Sequence, residues 1–75
     1  MTYTAYYRTL DATSIKIGED LQKLKDEWCF GMAIFETPGL TSHQLQKIFP
    51  DKPGMGTILN WLRENYKEVY KDGPI

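Results

Sequence analysis

Two side chains in this sequence are natural starting points for chemistry: Cys29, its one thiol, and His43, its one imidazole. Together they could form the nucleophile–base pair of covalent catalysis. Their surroundings argue against it. Cys29 lies in the apolar run Trp28-Cys29-Phe30, the setting of an inert core thiol. His43 lies inside Thr41-Ser42-His43-Gln44, a capping-box pattern in which its position is that of a solvent-facing helix residue. The carboxylates Glu19, Asp20, Asp26 and Glu27 are interspersed with Lys23 and Lys25 and read as solvated charges, not as a general acid/base pair. One cysteine and one histidine cannot make a zinc site. Pro53-Gly54-Met55-Gly56 lacks the Gly-x-x-x-x-Gly-Lys pattern of a phosphate loop. No catalytic residue, metal or cofactor is expected, so the sequence reads as a binding protein and not as an enzyme.

Two kinds of binding chemistry are legible. DNA recognition needs cations for phosphates and side chains that reach base edges. Lys47, Lys52, Arg63, Lys67 and Lys71 are candidates for the first, and Thr57 and Asn60 for the second; Asn can pair bidentately with adenine. Against this, residues 41–75 carry five Lys/Arg and four Asp/Glu, and the formal net charge of the chain is -1. That balance supplies no general attraction for nucleic acid or membrane. Protein recognition would use Asn60, Trp61 and Glu64, because an exposed Trp is a favoured interface residue. Trp61 could instead pack under the tail, against Val69 or Tyr70.

The elements that must position these residues follow from periodicity. Thr41 and Gln44 form a capping box, and Leu40 and Leu45 stand at hydrophobic-staple spacing around it. Leu45, Ile48 and Phe49 then share one face, and Pro50 ends the helix, giving helix 2 over residues 41–49. Pro53 suits the first position of a further helix. Met55, Ile58, Leu59, Leu62 and Tyr66 make the inner stripe of this helix 3, over 53–66, opposite Thr57, Asn60 and Glu64. Upstream, Ile17, Leu21, Leu24, Trp28, Met32 and Phe35 recur at intervals of four, three, four, four and three. That spacing predicts one long helix 1 over 12–36, capped by Asp11. After Trp28 the helix would be apolar all round, and the alternative is a strand over Cys29–Glu36. Residues 1–11, with Tyr3, Tyr6 and Tyr7 among threonines, are an N-terminal arm or a short strand. Residues 67–75 are a minimal wing or tail, with a turn signal at Asp72-Gly73.

A long apolar helix, then Pro38-Gly39-Leu40-Thr41-Ser42-x-x-Leu45, a turn, and Thr57-Ile58-Leu59-x-x-Leu62 resembles a winged helix-turn-helix domain over about residues 17–72. The resemblance implies a mainly α fold with minimal β structure, residues 53–66 as the recognition helix in the major groove, and a wing drawn from Lys67 to Gly73. It makes a small double-stranded-DNA-binding transcriptional regulator the leading expectation. The alternative is a protein-interaction module, or a small phage or mobile-element inhibitor, acting through the helix 3 face.

Size and cysteine usage complete the frame. Seventy-five residues make one domain whose core is marginal without a metal, a disulfide or a partner chain. A lone cysteine makes no internal disulfide, so helix packing or a homodimer is the expected support. A reducing cytoplasm is the expected setting. Met1 to Leu10 has no apolar block behind a basic start, and no apolar run is long enough for a bilayer.

Overall fold

The tyrosine-rich start of the chain becomes the middle of a sheet. Thr, Tyr and Ala alternate there between two faces, both of which are covered. The computed structural model describes residues 1–27, 29–51 and 54–73, with Met55 described by its backbone. The element order is β1 (Tyr3–Arg8), β2 (Thr13–Gly18), α1 (Leu21–Lys25), β3 (Gly31–Glu36), α2 (Ser42–Ile48), α3 (Met55–Asn65) and β4 (Lys67–Asp72). The strands form one antiparallel sheet in the order β2-β1-β3-β4.

The period of two sorts the core into two layers. Tyr6, Ala33 and Phe35 point to one face and meet Leu40 with Ile58, Leu59 and Leu62 of α3. Ala5, Tyr7, Met32 and Ile34 point to the other and meet Leu24 of α1. β3 is therefore buried on both sides, which explains its unbroken apolar run Met32-Ala33-Ile34-Phe35. β4 holds its place through a bulge: Ile34 pairs with Tyr70 and Phe35 with Glu68, so Val69 is the extra residue. Val69 and Tyr70 both pack on the α1 face as a result.

Local chemistry sets the connections. Leu10 and Asp11 form a two-residue loop between β1 and β2, closed by Thr9 N–H donating to Ala12 O at 2.8 Å. The Thr9 hydroxyl also accepts from Ala12 N–H at 3.1 Å. After β3, Leu40 N–H donates to Thr37 O at 3.1 Å, with Gly39 at φ 78°. Pro38 and Gly39 thus occupy the central positions of a type II turn, where Gly supplies the positive φ. At the end of β4, Gly73 also has φ 78°, and a Cβ there would strike the Phe30 carbonyl and approach Gly31 Cα to 2.7 Å.

This architecture corrects the expected fold class. The chain is not a mainly α winged-helix-like domain with minimal β structure; its described residues form a small antiparallel sheet of four strands with three short helices. The long helix over 12–36 is absent. Its residues form β2, α1, β3 and their connections. Ile17 and Phe35 pack on the α3 face, whereas Leu21, Leu24 and Met32 pack on the α1 face. Their helical spacing was thus coincidental. The signals that won are the alternation Thr13, Ile15, Ile17 and the Asp20 side chain, which caps α1 by accepting from the backbone N–H groups of Gln22 and Lys23. Asp11 caps no helix, because it sits in the hairpin loop. The segment expected as a wing is instead the edge strand β4, and residues 3–8 form a central strand. Trp28 and Pro53, and the Met55 side chain, which figured in the expected helices, lie outside the described residues.

Candidate interaction surface

The capping box starts α2. Gln44 N–H donates to Thr41 Oγ1 at 3.1 Å, and Thr41 N–H donates to Gln44 Oε1 at 3.2 Å. Two start signals meet at one residue, yet the helix they begin is thinly packed. None of its residues is fully buried; Leu45 is half-buried and Ile48 is 45% exposed. Its anchor is the residue just past it. Phe49 meets Trp61 edge-on, with ring centroids 5.6 Å apart, and Trp61 meets Tyr66 in the same manner at 5.6 Å. This aromatic column joins α2, α3 and the start of β4.

The column places Trp61. It is half-buried between two rings and does not pack on Val69 or Tyr70, which lie on the opposite sheet face. Asn60 and Glu64 are exposed on the outer side of α3, one turn apart. Thr57 is exposed in the first turn, where its N–H donates to Gly54 O at 3.0 Å.

Among the described residues, three candidate cations lie on the α2–α3 side of the sheet and one on the other. Lys47 is exposed in the last turn of α2. The Arg63 Nε lies 3.9 Å from a carboxylate oxygen of Glu68. Lys71 pairs with Ala33 on the α3 face of the sheet, whereas Lys67 pairs with Glu36 on the α1 face. Lys52 lies outside the described residues. Glu64 stands among the outward residues of α3, where it opposes an approaching phosphate.

Cys29 and His43 are also kept apart. Cys29 packs against the α1 layer, and His43 is exposed on α2, over the other face. Burial pushes the Cys29 thiol up, and the nearby Asp72 carboxylate adds to the shift. Both oppose the thiolate that a nucleophile needs. Among the described residues, no group of His, Cys, Asp and Glu side chains is placed to hold a metal ion. Among them, too, no helix is long and apolar enough to cross a membrane.

The exposed apolar residues were not legible beforehand. Ile48 shares the stripe of Leu45 and Phe49, but of the three only Phe49 packs on the core; Leu45 is half-buried and Ile48 is exposed. Leu10 is 80% exposed at the hairpin tip. Comparison of the chain with protein-family models, curated proteins and solved structures gives no match.

Proposed function

We propose that this chain is a protein-binding module that presents α2 and the outer side of α3 to a partner. The observation that carries the reading is Ile48, a β-branched side chain left exposed on a helix with no buried residue. Ordinary helix amphipathicity would turn it inward. Here it lies in the same helical layer as the exposed Asn60 and Glu64, because Phe49 and Trp61 join the two helices. An exposed apolar side chain on α2 and polar and acidic ones on α3 are chemistry that suits a protein surface. The partner is then an apolar-faced segment with a cation to meet Glu64. The free Cys29 thiol fits a reducing compartment, so the cytoplasm is the proposed setting.

The same facts weigh against a DNA reader. Phosphate neutralisation requires cations on one surface. Here Arg63 lies near Glu68, and Lys67 and Lys71 are on opposite sheet faces.

The test is affinity capture with the full chain, compared with Ile48→Asp and Asn60→Arg, both exposed substitutions. A partner held by the wild type and lost by both variants, with unchanged circular dichroism, is the expected result. A partner held equally by all three would overturn the assignment of this face.

A further inference from the structure

The two edges of the sheet are unequal. β4 carries Lys67, Glu68, Lys71 and Asp72 and is bent by the bulge at Val69. Charges and bulges are the usual guards against edge-to-edge pairing. β2, Thr13-Ser14-Ile15-Lys16-Ile17-Gly18, has one charge, no proline and an unbroken register with β1. Its single cation, Lys16, is exposed on the α1 face opposite Ala5, with Nζ 2.7 Å from Oε1 of the equally exposed Glu27.

We infer that β2 pairs antiparallel with β2 of a second copy of this chain, centred on Ile15, to make a continuous eight-stranded sheet. The hydrogen-bond alternation selects which groups are free. Thr9 N–H bonds to Ala12 O on the β2 side of β1, and Thr37 N–H bonds to Thr2 O on the β3 side. Counting by twos from these bonds, Ser14, Lys16 and Gly18 bond inward to β1. The N–H and C=O groups of Thr13, Ile15 and Ile17 therefore point outward from the edge.

Side-chain faces select the register. A twofold axis perpendicular to the sheet keeps the α3 face continuous only if residues of like parity are opposed. Centring on Ile15 places Ile15 opposite its copy and Thr13 opposite Ile17, all with outward-facing backbone groups. The half-buried Ile15 and Ile17 then form one apolar stripe across the junction. Ser14 falls opposite Lys16 in the closely spaced, non-hydrogen-bonded pair, and no like charges meet. Centring on Lys16 instead would oppose the two lysines at that close spacing, which is unfavourable. A six-residue strand pair is a small interface, so the dimer is of roughly micromolar affinity and dissociates on dilution.

Sedimentation velocity over a concentration series tests this, with charge changes at the exposed Ser14. Ser14→Lys places a cation against Lys16 of the other copy, twice by symmetry, and weakens the dimer by about tenfold. Ser14→Glu tightens it several-fold, and Ser14→Lys with Lys16→Glu restores it. A chain that stays monomeric up to about 1 mM would overturn the inference. So would a dimer indifferent to the charge at Ser14.

Discussion

The hydroxyls of Thr4 and Thr37 lie 2.8 Å apart, both fully buried, although the residues are 33 positions apart in the sequence. They join β1 to the turn that leads from β3 to α2. A buried hydroxyl without a partner loses its hydration and gains nothing in return. Each threonine is therefore needed because the other is there.

Thr4→Val or Thr37→Val alone should each destabilise the fold by about 1–3 kcal/mol, because each strands the remaining hydroxyl. The double variant removes both polar groups with little change in shape. It should cost clearly less than the sum of the two singles. Urea unfolding of all four proteins measures the coupling, and strict additivity would show that the pair does not interact.

Trp61 is assigned here to structure, not to the binding surface. Trp61→Ala removes the ring that Phe49 and Tyr66 contact and should cost about 3 kcal/mol. The loss should be local first. Amide hydrogen exchange in α2 should accelerate more than in β1 or β3, because α2 has no buried residue of its own to hold it. Uniform acceleration across the sheet would contradict this role.

How much of this was legible in the sequence depends on the range of the interaction. The capping box at Thr41 and Gln44 is a contact within one turn, and the pattern alone identified it. The inner stripe of α3, Ile58, Leu59 and Leu62, was likewise readable, since a helix on a sheet shows its period directly. β2 and β3 were not. Their partners are supplied by β1, which no local pattern names. A strand buried on both faces has no alternation to read, and β3 is such a strand. For the site, the outward positions of Thr57, Asn60 and Glu64 followed from the wheel. The exposure of Ile48 did not, because it depends on which residues of α2 reach the core, and of its stripe only Phe49 does.

Tyr7 ties the α1 layer to the sheet, donating its hydroxyl to Leu24 O at 2.8 Å. Burial, with Glu27 and Cys29 adding to it, pushes its pKa up to about 12 from 10.0. The folded state therefore favours the protonated phenol. Its contribution to stability is complete below pH 10.0, the unfolded value, and is lost as pH rises through about 12. Unfolding midpoints followed across this window should fall, and Tyr7→Phe should flatten the fall while lowering stability at neutral pH by about 1 kcal/mol. A phenolate absorbance titration in which Tyr7→Phe removes no late-ionising component would contradict the burial of this hydroxyl.

The central claim is that the α2–α3 layer meets protein and not nucleic acid. The most direct measurement is fluorescence anisotropy of labelled random-sequence duplex DNA, titrated with the chain at low salt and then across a salt series. The account predicts no binding at low salt, since Arg63 lies near Glu68, Glu64 opposes phosphate on the same helix and Lys67 is on the opposite sheet face. Affinity that falls steeply with salt, and falls again in Lys47→Glu and Lys71→Glu, would contradict it and establish a phosphate-binding surface.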